Sequence, residues 1–267
     1  MATLLLRGEP IGSIKGVLFD KDGTISNSEE HLRNLARLRI QEISRLLKEQ
    51  QLGFNKVEYL KELLMKAYGL TNNGINPQGT IAIASRKDNI ISTATVLSLL
   101  GESWPKSLEL SNKSFKLVDL QQERAPQHRP IIDGFRKILI SLETAGVTCA
   151  LISNDSDSGI KNFLLQNNLQ NSLNKFWSAD NYPPKPNPKA VEALCERLNL
   201  QPSECALIGD ADSDLTMAKQ SGIGIAIGFT GGWKQTPQLN HHQHIINHWN
   251  ELEILQKTKV QVHLDAK

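Results

Sequence analysis

The chain has 267 residues, room for a core domain plus a smaller one. Hydrophobic residues make up 39% and aromatics 5%, so the expected core is sizeable and mainly aliphatic. A net charge of +2 gives no electrostatic footprint for a nucleic-acid or membrane partner. The opening MATLLLRGEP holds one short apolar run and then charge and Pro10, too short for a signal segment or a membrane span. Cys149, Cys195 and Cys205 are too scattered for a disulfide framework or a zinc site and read as buried reduced thiols. The expected compartment is cytoplasmic.

Residues 15–19, KGVLF, read as a buried strand ending at Asp20. From Glu29 to Leu70 leucines recur at helical spacing, up to the Asn- and Gly-rich break at 71–80. Helical blocks follow at about Asp88 to Leu100 and Trp104 to Leu120. RAPQHRP, 124–130, reads as a linker. Beyond it, helices at 135–144, 159–168, 187–199 and 212–220 alternate with apolar runs at 147–152, 205–209, 223–228 and 244–247. A last helix is expected from about Trp249 to Lys257. Alternation of this kind predicts an α/β fold, a doubly wound parallel sheet with helices on both faces. The α/β core is expected to span 1–27 and 128–267, with an all-helical cap at 28–127. Ligands of such sheets sit at the carboxyl ends of the strands, where Asp20, Ser153 and Asp210 are expected.

Four motifs carry chemistry. In Asp20-Lys21-Asp22-Gly23-Thr24, one carboxylate can attack phosphorus and the second can give and take a proton. Gly23 allows a sharp turn and Thr24 offers a hydroxyl donor; a plain Asp-Gly turn is the simpler alternative. Ser153 and Asn154, after a strand, can bind phosphoryl oxygens or merely cap a helix. Lys185 stands among Pro183, Pro184, Pro186 and Pro188, so its ammonium is either presented rigidly to an anion or simply solvated on a stiff loop. Asp210, Asp212 and Asp214 alternate after a strand, a pattern for a hard cation with oxygen ligands or for an acidic first helical turn.

Taken jointly, the DxDGT, Ser, Lys-Pro and GDxxxD series resembles the haloacid dehalogenase superfamily, and among its branches the phosphoglycolate phosphatases with a helical cap between the first and second motifs. The resemblance implies a Rossmann-like core and Mg2+ as cofactor. It implies Asp20 as nucleophile, Asp22 as general acid and base, and Lys185 as the third catalytic residue. Thr24, Ser153 and Asn154 would lie at the phosphate, and Asp20, Asp22 (through its carbonyl), Asp210 and Asp214 at the metal. Asp22 argues against dehalogenation, which has no leaving-group proton to supply. The implied function is a phosphatase of a small phosphorylated metabolite. A sugar-phosphate mutase and a non-catalytic phosphate-binding module are the alternatives.

Two tracts stand apart. His241, His242, His244 and His248 fit a turn into a strand better than a metal site, and the loop Gly228–Trp233 lacks the Lys-Ser/Thr of a P-loop. Arg86, at the start of a cap helix where cations oppose the dipole, is a candidate contact to the leaving group, or a solvated basic turn.

Overall fold

The computed structural model describes residues 1–49, 54–124 and 127–255. It opens with a hairpin absent from the sequence reading: β1 (Ala2–Leu6) and β2 (Glu9–Ile14) pair antiparallel. Arg7 and Gly8 make the two-residue turn, both with positive φ, which matches the twist of hairpin strands. The expected terminal helix is also corrected. Trp249–Glu251 is a single 3-10 turn, and β9 (Leu252–Leu255) pairs antiparallel with β1. Leu252 is buried and Glu253 exposed, the period-two alternation of a strand, and β1 offers it a free edge. The part of that expected helix beyond Leu255 lies outside the described residues.

The main sheet is parallel, in the order β5-β4-β3-β6-β7-β8. β3 (Gly16–Phe19) lies between β4 (Thr148–Ile152) and β6 (Cys205–Gly209). β5 (Phe176–Trp177) adds one edge, and β7 (Ile225–Phe229) and β8 (His244–Ile246) the other. The side chains of β3 alternate between two cores: Val17 and Phe19 join the cluster with Phe135, Leu151 and Trp249, while Leu18 joins Ile152, Leu207 and Leu215. The connecting helices are α6 (Phe135–Thr144), α7 (Asp157–Gln166), α8 (Pro188–Arg197) and α9 (Asp212–Gln220). Asn187 caps α8, with Pro188 in its first turn, where proline costs nothing. The doubly wound α/β architecture expected from the sequence is therefore present.

Between β3 and α6 run α1 (Glu29–Glu49), α2 (Phe54–Tyr68), the single turn α3 (Thr80–Ile83), α4 (Arg86–Leu99) and α5 (Trp104–Arg124). They enclose a separate apolar core, including Ile43, Leu47, Leu60, Leu97 and Phe115, which Trp233 joins from beyond the helices. α4 starts two residues before the expected Asp88, because Ser85 accepts a hydrogen bond from Asp88 N and caps it. No helix among the described residues is long and apolar enough to cross a membrane.

Candidate active site

Sheet register brings the strand-end residues together. Phe19 is level with Leu151 on one side and Ile208 on the other. Asp20, Ser153 and Asp210 follow these positions by one or two residues, so they reach the same carboxyl-end edge. The chain fills the sheet outward from β3 through β4 to β5, then resumes at β6 on the opposite side. Asp20 and Asp210 thus flank the switch point of the sheet, the place where parallel sheets open a crevice.

Lys185 ties the set together. Its ammonium, nearly buried, lies 2.5 Å from Asp20 Oδ1, 2.6 Å from Asp214 Oδ1 and 3.2 Å from the Ile152 carbonyl. Its loop is held in place by Trp177 Nε1, which donates to the Pro183 carbonyl at 2.8 Å. Burial works against the Lys185 charge, but the Asp20 and Asp214 carboxylates outweigh it and raise its pKa. Asp214 also caps α9 by accepting from Ala211 N.

Carboxylate oxygens of Asp20, Asp210 and Asp214 lie within 4.8 Å of one another, all buried. Burial pushes the Asp20 carboxyl up from 3.8 to about 6, opposed by Lys185 and assisted by Asp214. Burial also drives Asp210 well above its ordinary value, with Asp20 and Asp214 adding repulsion. Three carboxylates facing one ammonium leave the pocket short of positive charge. An all-oxygen, charge-deficient cluster of this kind fits a hard divalent cation.

Several partners were not legible in the sequence. Thr24, fully buried, donates to Asp210 Oδ1 at 2.7 Å, and Trp233 Nε1 donates to Asp210 Oδ2 at 2.6 Å. The Thr24 hydroxyl proton thereby orients Asp210. Trp233 comes from the glycine-rich loop, which packs directly on the first motif. At Gly23, with φ +81°, an added Cβ would lie 2.3 Å from the Trp233 indole nitrogen. Only glycine fits there.

Asp22 faces a different set of partners. Its Oδ2 is 2.5 Å from the Lys21 ammonium, and Ser28 Oγ donates to its Oδ1. Burial alone would raise its pKa, yet Lys21 and Arg129 bring it down from 3.8 to about 2. Ser153 is buried, and its Oγ accepts from Asp155 N at 3.1 Å. Asn154 Nδ2 donates to the Ile83 carbonyl at 2.8 Å, pinning the helical layer to the β4 end. Arg86 puts Nε and Nη2 on Asp119 Oδ2 at 2.8 and 2.5 Å, so its charge is already paired on α5. Asp212 lies outside the cluster and pairs with His241, Oδ2 to Nδ1 at 2.7 Å. Among the described residues the histidine tract forms no metal-type cluster.

The family model for haloacid dehalogenase-like hydrolases matches residues 14–222. A phosphoglycolate phosphatase of Vibrio vulnificus is 27% identical over 153 residues, 50% of this chain. The chain spans 64% of that relative's length. A D-glycero-beta-D-manno-heptose-1,7-bisphosphate 7-phosphatase of Neisseria meningitidis is 31% identical over 132 residues, 42% of this chain and 70% of the relative. Among solved structures, one described as a predicted phosphoglycolate phosphatase from Haemophilus somnus superposes with a TM-score of 0.63 at 16% identity, covering 90% of this chain and 97% of that one. That likeness is one of fold. The family match runs from the end of β2 past the end of α9, across every strand end that contributes to the acidic cluster, and the chain belongs to the haloacid dehalogenase-like hydrolases.

Proposed function

We propose that the chain is a Mg2+-dependent phosphatase of a small phosphorylated metabolite, working through an aspartyl-phosphate on Asp20. The observation that carries this reading is the buried Asp20, held at Oδ1 by Lys185 and by no other side chain among the described residues. A carboxylate fixed at one oxygen leaves the other to attack. Asp20 Oδ2 would form a bond to phosphorus as the ester P–O bond breaks, and the leaving oxygen would take a proton from Asp22, which holds one once the negative charge of the bound phosphate offsets the pull of Lys21 and Arg129. Water would then attack phosphorus and give its proton to Asp22. The Asp20–phosphorus bond would break, releasing inorganic phosphate.

Asp20, Asp210 and Asp214, with the Asp22 carbonyl, would hold Mg2+, which when bound supplies positive charge against the phosphoryl oxygens. Ser153 offers a hydroxyl donor to the same oxygens. Lys185 bridges Asp20 and Asp214 and offsets part of their combined charge. Residues 28–127 act as a cap over the strand ends, tied down through Asn154. The phosphorylated metabolites acted on by the Vibrio and Neisseria relatives, as named, fit this substrate class.

Asp20→Asn is expected to reduce turnover of para-nitrophenyl phosphate by at least about a thousandfold, since it removes the attacking group. Full activity in that variant would refute the mechanism. A panel of hexose phosphates with an added bisphosphate separates hydrolysis from mutase activity, which would keep phosphate on the sugar.

A further inference from the structure

Lys21, the middle residue of the first motif, plays no part in the scheme above. Its side chain is fully buried, which is costly for an ammonium unless acids surround it. The ammonium lies 2.5 Å from Asp22 Oδ2 and 3.1 Å from Asp155 Oδ2, with the Phe163 ring centroid 5.5 Å away. Both contacts are short ion pairs. Asp155 is itself anchored. It accepts from Ser156 N at 2.8 Å, and Arg129 Nη1 is 3.3 Å from its Oδ2. Its own N–H donates to Ser153 Oγ.

We infer that Lys21, itself anchored by Asp155, is a positioning residue that fixes the Asp22 carboxylate for breakdown of the aspartyl-phosphate. The inference rests on the assignment of Asp20 and Asp22 above. Asp22 is gripped on both oxygens, Oδ1 by Ser28 and Oδ2 by Lys21. A carboxylate so held is placed to accept a proton from water. The step concerned forms a bond between water oxygen and phosphorus, breaks the Asp20–phosphorus bond, and moves the water proton to Asp22. Formation of the aspartyl-phosphate from an ester with a good leaving group requires no proton from Asp22 and does not depend on this grip. A lysine that served packing alone would affect both steps alike.

The test is Lys21→Met in the full chain with para-nitrophenyl phosphate and Mg2+. The expected result is a kcat reduced about a hundredfold with kcat/KM held within about threefold, because kcat/KM reports only the steps through leaving-group departure. Nitrophenolate should appear in a near-stoichiometric burst, and phosphoenzyme should accumulate on acid quench. In an Asp22→Asn background, Lys21→Met should cost less than about twofold more, since the residue through which it acts is already gone. Equal losses in kcat and kcat/KM, or an undiminished Lys21→Met loss in the Asp22→Asn background, would overturn the inference. Should Lys21→Met fail to fold, Asp155→Asn removes the anchor instead. It should give the same split at smaller amplitude, and an unsplit loss there overturns the inference equally. A wild-type chain without ester turnover, or an active Asp20→Asn variant, defeats the phosphatase reading; an active wild type with no split defeats only the role of Lys21.

Discussion

Asp20 shares one ammonium with Asp214 and stands beside a third acid, Asp210, and that imbalance shapes its response to pH. Its folded-state pKa of about 6 lies above the unfolded value of 3.8. Between these values the folded protein holds more protons than the unfolded one, so this group's contribution to stability falls as pH rises. The cost is complete above about pH 6 and absent below about pH 4, and amounts to at most about 3 kcal/mol. In metal-free protein, Asp20→Asn should therefore melt higher than wild type at pH 7.5, and the gap should close towards pH 4. Thermal melts in chelator across that range decide it; a gap independent of pH counts against the assigned cause. The positions of Asp20, Ser153, Lys185 and Asp210 were legible because each follows an apolar run or sits in a proline-fixed loop. The commitments of Thr24, Lys21 and Trp233 were not. A hydroxyl, an ammonium or an indole N–H advertises what it can donate, but the partner beyond its own motif lies 134 positions away for Lys21 and 186 for Thr24, as the fold decides.

At the level of elements, the loop after β7 and the turn after β3 are built as one piece. Gly23 occupies a positive-φ position against the Trp233 indole and the Asp210 carboxylate. Gly23→Ala is expected to destabilise by about 2 kcal/mol or more, combining backbone strain with the clash, and to lower activity with it. Chemical denaturation measures the first effect; a loss under about half a kcal/mol would show that the loop yields easily. Amphipathic helices such as α6 and α9 were readable to within a residue, because their apolar positions repeat over two turns or more. β5 was not, since Phe176–Trp177 is too short for any period to show. The terminal segment failed for a different reason. Residues Trp249 to Lys257 carry few local signals, and the edge of β1 decides that Leu252–Leu255 is a strand.

Across the whole molecule, the helical layer is joined to the loops that follow the strands by a few polar contacts and by the buried Trp233. Glu29, buried at the start of α1, accepts from Ile75 N at 3.1 Å and from Lys234 N at 2.8 Å. One carboxylate thus joins α1, the 71–79 loop and the loop that carries Trp233. Asn154 makes a second fastening at Ile83. Glu29→Gln keeps the size but loses an acceptor for one of the two amides. Faster amide hydrogen exchange is expected at Ile75 and Lys234, together with a severalfold drop in turnover. Unchanged exchange at both amides would mean that other contacts carry the load. The order of layers was legible from the change of period near residue 128, whereas the fastenings depend on which loops meet.

The pairing of β1 with β9 has a consequence for biogenesis. Thr3 lies opposite Leu255 and Leu6 opposite Leu252, so the sheet joins segments some 250 residues apart. During synthesis the β1–β2 hairpin emerges long before its partner strand and has to wait, with one edge bare, until almost all the remaining described chain has left the ribosome. The β3-to-β7 part of the main sheet can assemble in the meantime, and β9 closes the small sheet late, as a clasp. Chains halted before Leu252 would carry an open strand edge, the kind of surface that chaperones bind and that other unfinished chains can pair with.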